Sequence, residues 1–294
     1  MTNLKKVGLT ALAGSLVAVS AHAGSLSVSG GAEMSYTAAE HNTAGATSVF
    51  NNNGNRFGVE KFVSFNGSGE LDNGHTVSIY HGGPFGAFSS STLTYNMGDM
   101  GTLSYQNSTG DLGIGKIDDL MPSAYEEPTD GIDFKAGSGS GVKGKVDSGQ
   151  TGFNYSNNFG MASVDIGYSP KSTNDFRGDD GQFSGIGASE ASASANPSST
   201  SIAIKADVAD GLMVFGGIGR KGRDSATEEF EDDHSTVGLK YTMGGITAGY
   251  QHSEIDDGAA GSTARDTEAD LFGIAFAINE NLTVSYGYQE TEVG

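Results

Sequence analysis

From Gly24 onward apolar and polar residues alternate, the two-residue period of strands whose faces meet different surroundings. Leu26, Val28, Ala32, Met34 and Tyr36 share one face, and Ser27, Ser29, Glu33 and Ser35 take the other. The split recurs along the chain. Ala162, Val164, Ile166 and Tyr168 oppose Ser163, Asp165 and Gly167, and Ile202, Ile204 and Ala206 oppose Ser201, Lys205 and Asp207. Val237, Leu239 and Tyr241 oppose Thr236, Gly238, Lys240 and Thr242, while Leu282, Val284, Tyr286 and Tyr288 oppose Thr283, Ser285, Gly287 and Gln289. The pattern predicts an all-β chain of about 13 strands, at roughly 24–36, 55–66, 75–82, 91–97, 102–107, 150–156 and 161–168. The remaining six fall at roughly 200–207, 212–220, 235–242, 246–252, 269–278 and 282–290.

Short turns join these segments in pairs. They include Asp72-Asn73-Gly74, Gly98-Asp99-Met100-Gly101, Asn157-Asn158-Phe159-Gly160, Ala209-Asp210-Gly211, Met243-Gly244-Gly245 and Asn279-Glu280-Asn281. Asn, Asp and Gly suit tight hairpins, which need positive φ at one or two positions. Longer segments separate the pairs, at about 38–54, 83–90, 108–149, 169–199, 221–234 and 252–268. Short connections therefore collect at one end of the sheet and long ones at the other. A soluble sandwich has no reason to sort its loops, whereas an outer-membrane barrel does. A soluble barrel fills its interior with side chains, which suits about eight strands. A sheet of about 13 closes around a lumen too wide to pack, so its inner face should be Ser, Thr, Gly and charge, as it is here. The outward face then meets lipid, and Tyr36, Tyr95, Tyr105, Tyr168, Tyr241, Tyr250 and Tyr288 are the candidates for its aromatic girdles, Trp being absent.

The residues before Gly24 read as an address. Lys5 and Lys6 precede an apolar stretch from Val7 to Val19, and Ala21-His22-Ala23 supplies a small-x-small cleavage pattern, placing the cut between Ala23 and Gly24. That stretch is shorter than the roughly 20 residues that a spanning helix needs. Residues 1–23 are expected to be a signal peptide and 24–294 the barrel.

Composition narrows the chemistry. With 36 Asp and Glu against 16 Lys and Arg, a formal charge of −20, the chain is a poor partner for nucleic acid. The absence of Cys excludes disulfide frameworks, thiolate metal sites and thiol catalysis. Residues 139–145 follow a phosphate-loop spacing, but Val146 stands where Ser or Thr is required, and no strand and helix flank it. The histidines His41, His75, His81, His234 and His252 have no metal-ligand spacing, and nothing pairs a Ser with a placed His. No metal, cofactor or enzyme activity is expected. Residues 184–201, rich in Ser, Ala and Gly, read as a low-complexity loop.

The longest connection, 108–149, carries Asp111, Asp118, Asp119, Glu126, Glu127, Asp130 and Asp133 against one base, Lys116, between Asp111 and Asp133. Here the sequence resembles the Gram-negative general porins, in particular the alphaproteobacterial type. The leader MTNLKKVGLTALAGSLVAVSAHA is followed by GSLSVSGGAEMSYT as first strand, NRFGVEKFVSFNGSGELDNG is similar to the family's second strand and turn, and STLTYNMGDMGTLSYQN to its fourth and fifth. The acidic segment STGDLGIGKIDDLMPSAYEEPTDGIDF falls where that family has its third extracellular loop.

The resemblance implies a sixteen-strand outer-membrane barrel of a Gram-negative bacterium, homotrimeric, whose third loop folds inward and sets carboxylates against bases on the wall. The seven carboxylates above become the constriction set, with two to four of them at the eyelet. Arg56 is the matching wall base, joined by Lys205 and Lys240, with Glu33, Glu60, Asp165 and Asp207 also facing the lumen by parity. The same parity aims Lys61 at lipid, which a bulge or register shift at 60–62 would relieve. Opposed charges across a water-filled pore order water and bias ions, so passive diffusion of small hydrophilic solutes with a mild cation preference is expected. The acidic stretches 224–234 and 252–270 read as solvated outer loops, or as loops bridged by divalent cations. Thirteen strands is an odd number, whereas bacterial barrels use even ones. The expectation is that about three C-terminal strands are missing; a smaller barrel of 12 or 14 strands is the alternative. In function, the alternative is a structural or adhesin barrel that does not conduct.

Overall fold

The alternating segments become thirteen strands of one antiparallel sheet in the computed structural model, which describes residues 24–36, 57–84, 90–107, 112–118, 120–124, 151–170, 198–224, 229–258 and 266–293. The strands are β1 (Ser25–Tyr36), β2 (Phe57–Glu70), β3 (Thr76–Pro84), β4 (Ser90–Asn96), β5 (Thr102–Asn107), β6 (Thr151–Phe159) and β7 (Ala162–Ser169). They continue as β8 (Ser199–Ala209), β9 (Leu212–Asp224), β10 (Glu229–Met243), β11 (Ile246–Asp256), β12 (Thr267–Asn279) and β13 (Leu282–Val293). Each strand pairs with its sequence neighbour, so β1 and β13 stand at the two edges of the sheet.

Loop sorting follows the sequence. β6–β7, β8–β9, β10–β11 and β12–β13 join through two-residue turns at one rim, and the long connections lie at the other. Asp210-Gly211 shows why those residues stand there: Gly211 has φ of 70°, open to glycine at no steric cost.

One inward-facing row can be followed around the whole sheet through successive cross-strand partners. It runs Ser25, Ser68, Ser78, Thr94, Ser104, Asn154, Gly167, Ser201, Gly219, His234, Ile255, Thr267 and Val293. The row begins at the first residue of β1, on the short-turn rim, and ends at the last residue of β13, on the long-loop rim. Rows perpendicular to the strands climb from rim to rim only when the strands are tilted, as barrel geometry requires. The opposite face carries the exposed apolar band, including Leu26, Val28, Ile79, Leu93, Ile204, Val237 and Val284. All seven girdle tyrosines lie on this outward face by register. Near the short-turn rim His75 Nδ1 lies 2.6 Å from the Tyr95 hydroxyl, and near the long-loop rim Tyr36 meets Phe57 edge-on at 5.1 Å.

Two expectations need correction. First, no bulge relieves Lys61: β1 and β2 pair without interruption from Ser25–Ser68 to Tyr36–Phe57, leaving Lys61 exposed beside Ala32 on the outward face. The register irregularities fall elsewhere, at Asp207/Ala209 and Ala277/Asn279 next to the short turns. Second, much of the acidic stretches read as outer loops is strand, since β9 runs to Asp224, β10 starts at Glu229, β11 runs to Asp256 and β12 starts at Thr267. Alternation of charge does not stop a ladder whose register the hairpin has already fixed. Opposite charges even face one another, with Arg220 across from Asp233 and Lys221 across from Asp232. Arg220 holds Asp233 at 2.8 Å and Glu231 at 3.3 Å on the outward surface.

Candidate functional site

The chain leaving β5 turns into the lumen. Its described part, 112–118 and 120–124, contains a short 3-10 turn over Gly113–Ile117 that rests on β7, β8 and β9. Leu112, Ile114 and Ile117 are completely or almost completely buried, and Met121 nearly so. Ile114, Ile117 and Met121 lie against Ala203, Phe215, Ala269 and Leu271, which occupy inward positions on β8, β9 and β12. An apolar patch inside a water-filled barrel is the device that seats the loop, because each buried Ile or Leu contributes about 1.5–3 kcal/mol relative to exposure.

Close approach to the wall depends on missing side chains. A methyl at Gly167 on β7 would meet the Gly113 nitrogen at 2.6 Å and Leu112 Cβ at 2.9 Å. A methyl at Gly273 on β12 would meet the Pro122 carbonyl oxygen at 2.5 Å. Between Leu112 and Pro122 the loop thus passes from β7 to β12, five strand spacings or about 24 Å.

Polar contacts fix the turn in place. The Gly113 N–H donates to Asn154 Oδ1 at 2.7 Å, and the Ile114 N–H donates to Ser201 Oγ at 3.1 Å. Asn154 is oriented in turn, donating through Nδ2 to Ser156 Oγ at 2.8 Å and to Asp165 Oδ1 at 3.2 Å. The Ser156 hydroxyl also donates to Asp165. Asp165 is buried, so its carboxylate depends on these donors. Below this network a cavity of about 400 Å³ opens toward the short-turn rim, lined among others by Asn96, Ser156, Asn157, Asp165 and Lys205.

Of the residues singled out from the sequence, Asp118 caps the 3-10 turn half-buried, beside Ile117. Asp165 and Lys205 line the same cavity on neighbouring strands. Lys240, Met213 and Asp207 share one inward row, so Lys240 and Asp207 stand two strands apart. Glu33 is exposed on the inward face of β1. Asp111, Asp119, Glu126, Glu127, Asp130, Asp133 and Arg56 lie outside the described residues, as does Ala23, while Gly24 immediately precedes β1. Sequence reading missed Asn154, Ser201, Phe215 and Leu271. The last two carried a signal, being large apolar residues at positions whose parity is inward.

The fold is that of known outer-membrane channels. An anion-selective porin from Comamonas acidovorans superposes with a TM-score of 0.54 at 17% identity, over 81% of this chain and 72% of that one. OmpT of Vibrio cholerae gives 0.54 at 12% identity over 94% and 79%, and Salmonella typhi OmpF, in complex with daunomycin, gives 0.52 at 12% over 90% and 78%. No curated protein sequence matches the chain. A family model described as Gram-negative porin matches residues 8–293, and the chain therefore belongs to the Gram-negative porins, non-enzymatic diffusion channels of the outer membrane.

Proposed function

We propose that this porin passes small hydrophilic solutes and ions with a mild preference for cations, through a lumen narrowed by loop 108–149. The observation that carries the reading is the seating of Leu112, Ile114, Ile117 and Met121 on inward-facing wall residues, which supports an obstruction inside the barrel. The preference rests on charge. The chain has 36 acidic residues against 16 basic ones, and the inward face of β1–β5 has Glu33 and Glu70 but no Lys or Arg among the described residues. Although Lys205 and Lys240 also face inward, an excess of one sign in a lumen concentrates counter-ions and disfavours co-ions. The Comamonas relative is named as anion-selective, so a shared fold does not set the sign; each chain's own charges must. The proposal includes a homotrimer in the bilayer, an alphaproteobacterial type within the family, and export by residues 1–23 with cleavage between Ala23 and Gly24; β1 starts one residue beyond that cut. Reversal potential in a KCl gradient across a planar bilayer tests the preference. A potential of the sign set by potassium supports it, and one set by chloride overturns it.

A further inference from the structure

The described part of the loop is seated on β7, β8, β9, β11 and β12. Elsewhere in the sheet, the wall of β1–β5 has an unusual surface. Its described inward side chains are mostly neutral hydrogen-bonding groups: Ser27, Ser29, Ser64, Asn66, Ser78, Thr92 and Thr94 are typical. Ser29 and Ser64 hydroxyls lie 2.8 Å apart, and Asn66 Nδ2 donates to Ser64 Oγ at 3.4 Å. Two aromatic rings interrupt this surface. Phe62, Tyr80 and Phe215 face inward, and Phe215 is buried under the loop. Phe62 keeps 47% of its surface exposed.

Both rings lie down on bare backbone. A methyl at Gly31 would sit 3.0 Å from Phe62 Cε1 and 3.2 Å from Cζ, and one at Gly82 would sit 2.6 Å from the Tyr80 oxygen and 2.9 Å from its Cζ. Covering a glycine accounts for part of this packing. It does not account for an apolar ring left half open to a water-filled lumen. Gly82 pairs with Ser64, and Gly31 pairs with Phe62 itself, two residues along β2. The hydrogen-bonded Ser29–Ser64 hydroxyls therefore lie between the two rings.

The geometry points to a weak wall site for neutral polyhydroxylated solutes, of the sugar class, formed by Phe62, Tyr80, Ser29, Ser64 and Asn66. A pyranose has an apolar C–H face that rests on an aromatic ring and a rim of hydroxyls that exchange hydrogen bonds with Ser and Asn. Glu33, two residues above Gly31 on the same face, accepts hydroxyl donors and repels anions, which favours neutral sugars over acidic ones. The inference deepens the channel reading and rests on it.

The test is conductance of the full chain in planar bilayers with increasing raffinose, a neutral trisaccharide, against a polyethylene glycol of equal hydrodynamic radius. Raffinose should lower the current saturably and the polymer linearly. Phe62→Ser with Tyr80→Ser should raise the half-blocking concentration about tenfold while leaving KCl conductance in place, and Phe62→Tyr with Tyr80→Phe, which keep the rings, should retain the block. A linear raffinose response in a conducting channel overturns the wall site and leaves the channel reading standing. Saturation unchanged by loss of both rings overturns it as well. Absence of any conductance step overturns the channel reading and the wall site with it.

Discussion

Truncating the loop anchor is the sharpest test of how the pore is narrowed. Ile114 and Ile117 are 1% and 0% exposed and together form the centre of the patch that seats the loop. Replacing both by Ala removes the centre of the apolar patch and leaves a cavity between Met121 and the wall residues Ala203, Phe215, Ala269 and Leu271. Each buried Ile→Ala change costs about 2–5 kcal/mol, so the pair removes at least about 4 kcal/mol from the docked loop. Contact between the two sites makes the sum approximate rather than additive. A loss of about 4 kcal/mol lowers the ratio of docked to released loop about a thousandfold. The hydrogen bonds from Gly113 and Ile114 remain, each contributing about 1 kcal/mol. They cannot hold the segment alone. The barrel should survive, because its thirteen described strands pair through their backbones independently of the loop. Single-channel recordings should therefore show higher conductance and rapid current fluctuations, with an unchanged circular-dichroism signature of β-structure. An Ile114→Ala, Ile117→Ala channel with wild-type conductance and noise would refute the anchoring argument.

Two other perturbations separate wall from loop. Gly273→Val places a branched side chain where Pro122 O would stand 2.5 Å from the first added carbon, so the far half of the described loop should lift off β12. Conductance should rise, and swelling of porin-loaded liposomes in a disaccharide should accelerate. Lys61→Leu removes a charge from the outward face beside Ala32; it should raise the urea midpoint for unfolding from lipid vesicles by an amount equivalent to about 0–4 kcal/mol, depending on depth, without altering conductance.

The fold was legible because each strand needs a different solvent on each side. Tyr36 and Glu33, or Ile204 and Lys205, differ in parity and hence in surroundings, and the strict period of two converts that difference into a readable pattern. Strand ends were less legible. At Glu229 and Asp256 the ladder continues through residues whose sequence carries no apolar alternation, because backbone pairing beyond the bilayer needs none. The seat of the loop was legible only as a charge run. Its carboxylates stand out in the sequence, but what holds the described part is Ile114, Ile117 and the amide of Asn154, and no local pattern links residues about 40 positions apart.

Two violations of the same rule show where sequence reading stops. Phe215 and Phe62 are both large apolar residues at inward positions of a barrel whose lumen is polar, and nothing in their flanking residues distinguishes them. The structure does, by what lies over each. Phe215 is 3% exposed beneath Ile114 and Ile117, so its apolar surface is accounted for by packing. Phe62 is 47% exposed above Gly31, so among the described residues nearly half of its surface remains available to whatever crosses the pore. An inward aromatic is therefore a reason to ask what covers it: a loop of the same chain in one case, and a passing solute in the other.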